Sequence, residues 1–338
     1  MTTLAEKLRD IYHSPQPPSP EACREALRAV REVLDAEPEG IRPADPEGKP
    51  GGLVLLDRDL STIVVPDLHA RMNFFLSVLA FEAEEGRKAF DLLAEGRLQI
   101  VCLGDGVHSE GRAARRWRAA MDEFQGEYRA HDNMDEEMRE SLGAMTMVME
   151  VKRSFPNRFH FLKGNHENIA NEMGGGNLPF RKFALEGLMT LDYMQRFYGE
   201  ETLRSYAQFE KELPLLAAGR GFLISHAEPR SFFDRASLVE YRRHPEVVSG
   251  LTWTDNDEAE KGSVPRMLVH YLGEEEGANA HYFTGHRPVS GHYQLRAEGR
   301  LVQIHDPRRF VIACLPRSSE IDPERDVLEI DDLSGTEL

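Results

Sequence analysis

Short apolar runs that break off into polar residues recur along this chain. Five of them cover residues 61–65, 99–103, 159–163, 221–224 and 281–284. Runs of this length, rich in β-branched and aromatic side chains, have the character of buried strands. From Leu53 onward they alternate with segments of helical apolar spacing, which predicts an α/β chain. Each run ends in a distinctive polar segment. In order these are Pro66-Asp67-Leu68-His69, Gly104-Asp105-Gly106, Gly164-Asn165-His166-Glu167, Ser225-His226-Ala227 and Gly285-His286-Arg287-Pro288. Strand ends at one edge of a sheet are where α/β proteins assemble sites. Repeated five times with Asp, His and Asn, the pattern predicts a metal centre.

Elsewhere the periodicity is helical. Ser19 is placed to cap a helix that starts at Pro20, with Ala26, Leu27, Val30, Val33 and Leu34 on the face that docks on the main body. A Pro/Gly-rich linker follows over residues 38–52. In the longest non-strand stretch, Trp117, Met121, Phe124, Tyr128, Met134, Met138, Leu142, Met145 and Met149 recur every three or four residues. A break near His131-Asp132-Asn133 makes this a helical hairpin or one broken helix. A methionine stripe can be an adaptable substrate surface. At this spacing it reads instead as a core face or a self-association face. The acidic end, with Asp326, Glu329, Asp331 and Asp332, reads as a solvated tail or a short edge strand. The expected organisation is a helical extension and linker over 1–50, a main domain over 51–316 with a helical insertion at about 112–145, and a tail over 317–338.

Composition changes this picture little. The net charge of −17 argues against nucleic acid or an anionic membrane as partner, since both reward basic surface. It leaves room for an anionic substrate, because bound cations invert the local field. Cys23, Cys102 and Cys314 lack metal-type spacing and read as free thiols of a reducing, cytoplasmic compartment. No signal-peptide core and no bilayer-length apolar stretch is legible.

Taken singly, the polar segments are weak signals; a turn Asp beside a surface His is commonplace. On a strand, Asp67 and His69 at i, i+2 would share one face and one metal ion. Gly104 suits a tight turn that presents Asp105 to two cations. In order and content the set resembles the metallophosphoesterase (calcineurin-like phosphoesterase) superfamily, and within it the phosphoprotein phosphatase, or serine/threonine phosphatase, type. Gly164-Asn165-His166-Glu167 matches that family's G-N-H-E in full. Leu251-Thr252-Trp253-Thr254-Asp255 is similar to its L-x-W-x-D, and Gly285-His286-Arg287-Pro288-Val289 resembles the G-H-x-P-V of bacterial and phage members. Pro288 stands where diesterases and nucleases of the superfamily carry a second His.

The resemblance implies a four-layer α/β/β/α sandwich of two mixed sheets flanked by helices. It implies one cation on Asp67, His69 and Asp105, and a second on Asp105, Asn165, His226 and His286. Oxygen and imidazole donors without thiolate suit Mn, with Fe or Zn as alternatives. The implied reaction is hydrolysis of phosphomonoesters by in-line attack of a metal-bridging hydroxide, with Asp105 bridging and His166 as general acid. The substrate is then a phosphorylated protein or a small phosphoester. A diadenosine tetraphosphatase and a catalytically weak metal-binding scaffold are the alternatives.

The second motif departs from the family's G-D-x-V-D-R-G. His108 replaces the Asp that orients the catalytic His, and Ser109 replaces a phosphate-binding Arg. Glu110 or His108 is the substitute partner for His166. Arg266 and Arg112 lead the candidates for the missing phosphate fork, ahead of Arg71 and Arg287. His226-Ala227-Glu228 replaces H-G-G, and Glu228 adds charge near an anionic substrate.

Overall fold

A computed structural model describes residues 2–84, 86–317 and 320–338 of the chain, so residues 318 and 319 of the expected tail lie outside the described residues. The alternation inside each apolar run decides the layering. β2 (Ser61–Val65), β5 (Leu98–Cys102) and β6 (Phe159–Phe161) run parallel in one sheet. Ile63, Val65, Ile100, Cys102, Phe159 and Phe161 turn to a helical layer, while Val64 and Val101 turn to the opposite face. There they meet Val54, Ile224, Phe283 and Val302 of a second sheet. Alternate residues of that sheet, Leu53, Leu223, Tyr282 and Leu301, join helices on its far side. Period-two side-chain alternation thus builds helix, sheet, sheet and helix in order. This is the four-layer sandwich of two mixed sheets that the resemblance implies.

The second sheet runs β1 (Leu53–Leu55), β7 (Leu216–Gly219), β8 (Phe222–Ser225), β9 (His281–Thr284), β11 (Leu301–Gln303), β10 (Gln294–Arg296). Its β8, β9 and β11 are parallel to one another. The first sheet is closed by β12 (Val311–Leu315), antiparallel to β2, and by β13 (Val327–Glu329) on its edge. The acidic end therefore supplies an edge strand. A small hairpin of β3 (Glu82–Glu84) and β4 (Arg87–Lys88) lies apart.

The helical layer over the first sheet includes α1 (Leu4–His13), α2 (Pro20–Asp35), α3 (Met72–Ala80), α4 (Ala89–Ala94), α5 (Ala114–Gln125) and α6 (Asp132–Ser154). Ser19 caps α2 through the Ala22 amide at 3.2 Å, and Ala26, Leu27, Val30 and Leu34 are buried. The Met-striped stretch is two helices with its break between Gln125 and Asp132. α6 is the crossover that returns the chain from β5 to its parallel neighbour β6, a connection parallel strands require. Met134, Met138, Leu142, Met145 and Met149 are buried in the main core. The stripe is a core face, and these methionines are not available for self-association. Among the described residues no helix is long and apolar enough to cross a membrane.

Candidate metal centre

All five polar segments leave the C-terminal ends of parallel strands, three from the first sheet and two from the second. Ladder-like backbone bonds continue past the strand ends: His69 N donates to Asp105 O at 2.6 Å, and Gly285 N to His226 O at 2.9 Å. Asp67 and His69 are not on a strand, since β2 stops at Val65; they converge through the loop beyond it. His69, Asp105 and His286 take positive φ of 43°, 50° and 61°, a conformation that side-chain-bearing residues avoid. Strain of this kind persists where the surroundings hold it and is concentrated at sites. Gly285 lies so close to Asp67 that a Cβ there would stand 1.8 Å from Oδ1.

Glu167 is the clamp of this edge. Its carboxylate accepts from the amides of Gly164 at 2.6 Å, Asp105 at 2.8 Å and Gly106 at 2.8 Å. The β6 loop thereby holds the β5 loop that carries Asp105, while Asp105 Oδ1 accepts from His166 N at 2.9 Å.

The donor atoms form two abutting groups. Asn165 Oδ1 lies 2.9 Å from His226 Nε2 and 2.9 Å from His286 Nδ1, and these two nitrogens are 3.2 Å apart. His226 Nδ1 faces the Leu103 carbonyl at 3.1 Å, which only accepts, so the ring proton sits there and Nε2 keeps its lone pair. His69 is fixed the same way, by Nδ1 against the His108 carbonyl at 2.9 Å. Its Nε2 is 3.9 Å from Asp67 Oδ2 and 3.6 Å from Asp105 Oδ2. Asp105 Oδ2 is also 3.4 Å from His226 Nε2, so it stands between both groups. Lone pairs turned on one another at such distances, with the ring protons of His69 and His226 anchored behind, suit cations. Burial, with Asp67 and Glu167 nearby, pushes the Asp105 carboxyl far above its usual range. Burial likewise holds His226 well below, and His286 at about 3. A divalent cation relieves both strains at once, so the residues fit the implied metals.

The rewritten second motif is stitched into the helices. His108 Nδ1 meets His166 Nδ1 at 3.0 Å, and its Nε2 meets Thr190 Oγ1 at 3.2 Å. His108, not Glu110, is thus the partner of His166, whose ring also packs on Phe180 with centroids 3.7 Å apart. Burial, then the neighbouring His69, holds His108 at about 3, a neutral imidazole. Glu110 instead reaches His305 Nε2 at 3.0 Å and His69 Nε2 at 3.6 Å. Ser109 donates to buried Glu137 at 2.9 Å, which Arg116 also binds at 2.6 Å.

An open cleft of about 880 Å³ lies beside the cluster, lined among others by Ala70, Glu110, Arg112, Lys182, Pro288 and Arg308. Arg112 stands in it but is paired to Glu140 at 2.8 Å. Arg266 is not among the lining residues; its guanidinium lies over the Phe232 ring at 4.6 Å. Arg71 is spent on the carbonyls of Asp67, Leu68, Asp306 and Arg309, and Arg287 pairs with Asp255 at 2.6 Å. Glu228 is paired with Arg296 at 3.4 Å. Four residues of this edge escaped the sequence reading: Glu167 as a clamp, Lys182 and Arg308 on the cleft, and His305. The last had a signal, for Leu301-Val302-Gln303-Ile304 is a sixth apolar run ending in His305-Asp306.

No protein-family model and no curated protein matches the chain. Solved structures do. A protein serine/threonine phosphatase from Saccharomyces cerevisiae, described as similar to the human phosphatase PP5, aligns over 91% of this chain and 88% of its own at 14% identity and a TM-score of 0.51. The chain shares the fold of that phosphatase, the two-sheet sandwich of the calcineurin-like phosphoesterases. A point mutant of a cold-active protein tyrosine phosphatase aligns over 89% of this chain and 84% of its own, at 13% identity and TM-score 0.48. The cold-active protein tyrosine phosphatase of a psychrophilic Shewanella species covers the same shares at 12% and 0.46. In this phosphoesterase fold the cluster lies at the strand ends of both sheets.

Proposed function

We propose that the chain is a metal-dependent phosphoesterase that hydrolyses phosphomonoesters, with two divalent cations, manganese foremost, at the cluster centred on Asp105. The observation that carries this reading is the position of Asp105 Oδ2, 3.6 Å from His69 Nε2 on one side and 3.4 Å from His226 Nε2 on the other. Asp67, His69 and Asp105 would hold one cation; Asp105, Asn165, His226 and His286 the other. Bound there, the pair supplies Lewis acidity, acidifying water and neutralising phosphoryl oxygens for in-line displacement.

The chain's own groups do the rest. His166 Nε2, 3.8 Å from Asp105 Oδ2, faces the reacting centre and is the proton donor to the leaving oxygen. His108 Nδ1 stands 3.0 Å from His166 Nδ1 and fixes the ring, and Phe180 closes off its other side. Glu167 holds Asp105 in place. Lys182 and Arg308, 47% and 77% exposed and held only at 3.4 Å by Glu110 and 3.7 Å by Asp306, are the cations that draw a phosphate into the cleft. The substrate is a phosphorylated protein or a small phosphoester.

A second reading, a catalytically weak metal-binding scaffold, is favoured by the His108–His166 contact. A neutral imidazole orients its partner but does not stabilise an imidazolium as a carboxylate does. Purified protein with manganese, offered para-nitrophenyl phosphate, a phosphoserine peptide and diadenosine tetraphosphate beside an Asp105→Asn control, separates the readings. Turnover of the monoesters that Asp105→Asn abolishes is the expected result. Turnover of the dinucleotide alone transfers the assignment to phosphoanhydride hydrolysis, and metal binding without turnover leaves the scaffold.

A further inference from the structure

We infer that His305 is a further protein ligand of the cation held by Asp67, His69 and Asp105, with Glu110 as the residue that positions its ring. This rests on the two-cation reading above and adds a residue that the resemblance does not bring. β11 is parallel to β9, so Ile304-His305 leaves the sheet at the edge where His286 leaves it. His305 is fully buried. Its Nε2 lies 3.0 Å from Glu110 Oε2, and its Nδ1 lies 3.8 Å from Asp67 Oδ2 with no hydrogen-bond partner of its own. The rings of His305 and His69 are 5.4 Å apart, and one donor atom each of Asp67, His69 and His305 fall within 4.8 Å of one another.

The arrangement is that of a ligand. A carboxylate only accepts, so Glu110 fixes the proton on Nε2 and leaves the Nδ1 lone pair facing the cluster. This is the carboxylate–histidine–metal relay that orients ligating imidazoles. A purely structural histidine would bridge Asp67 and Glu110 as an imidazolium, yet 3.8 Å is too long for a hydrogen bond to Asp67. Donor atoms about 2.1 Å from a shared cation stand about 3–4 Å apart, and His305 Nδ1 is 3.8 Å from Asp67 Oδ2. Arg71 keeps the two loops in register by donating to the Asp67 carbonyl at 2.7 Å and the Asp306 carbonyl at 3.2 Å. The extra imidazole gives the first site two nitrogen donors beside its two carboxylates and favours a transition metal over magnesium.

The test uses zinc alone as probe, by equilibrium dialysis of metal-stripped full-length protein. Wild type is expected to bind two equivalents. His305→Ala is expected to keep one and to hold the second at least about ten-fold more weakly, with Glu110→Gln weakened in the same direction by a smaller factor. Two equivalents at wild-type affinity in folded His305→Ala overturn the inference and leave the two-cation reading standing. A wild type that binds no zinc overturns both. Should His305→Ala fail to fold, a zinc-loaded wild-type crystal decides: Nδ1 at about 2.1 Å from a zinc supports the assignment, and more than about 3.5 Å from any zinc rejects it.

Discussion

His108 occupies the place where the resemblance expects an aspartate, and its 3.0 Å contact with His166 is the residue-scale question of the site. The sequence exposed the substitution but not its remedy, because Thr190 and Phe180, which hold the His108 ring, come from segments without a motif. On the proposed reading, the neutral ring behind His166 leaves it below the capacity of a carboxylate-backed acid. His108→Asp is expected to raise kcat on an alkyl phosphomonoester by about ten-fold, roughly 1.4 kcal/mol, with KM unchanged. Steady-state kinetics checks this; a fall in kcat would mean that His108 has a role of its own. His166→Ala should lower kcat on phosphoserine by about 100-fold and on para-nitrophenyl phosphate far less, since nitrophenolate leaves without a proton. Equal losses on both substrates would rule out the general-acid role.

Between elements, buried charge does the holding. Glu37, just past α2, takes Arg42 at 2.7 Å and Lys152 of α6 at 2.6 Å. Arg42 also donates to the Glu212 carbonyl at 2.6 Å, tying the linker to the sandwich. Burial alone would raise the Glu37 carboxyl, but the Lys152 and Arg42 charges prevail and hold it at about 2. Its folded value is depressed from 4.5, so its contribution is complete above that pH and fades as pH falls from 4.5 toward 2. Glu37→Ala, which strands two cations, is expected to cost about 3–5 kcal/mol at pH 7, read by urea unfolding. The loss should shrink below pH 4; a pH-independent loss would mean packing alone. Strand ends were legible here because period-two alternation and the polar tails coincide. The role of α6 was not, since periodicity marks a buried face without telling which strands a helix connects. Nor was the commitment of Arg112 to Glu140, a contact between segments that no local pattern couples.

At the scale of the whole molecule, six strand ends from two sheets meet at one edge, where Asp67, Asp105 and Glu167 are buried together. On the two-cation reading, stripping metal should lower Tm, by about 1–2 °C for each kcal/mol of binding lost in a chain of this size, and restoring manganese should reverse it. Most of this edge could be read from the order of Asp, His and Asn in the chain. The cleft could not, because Lys182 and Arg308 reach it from loops remote in sequence. On the proposed reading, Asp105 joins two cation sites into one reactive centre. Its most direct test is hydrolysis of para-nitrophenyl phosphate measured against bound manganese equivalents in stripped protein. Activity is expected to stay near zero at one equivalent, rise with the second, and vanish in Asp105→Asn together with tight binding. Full turnover in stripped protein, or in Asp105→Asn, would contradict it.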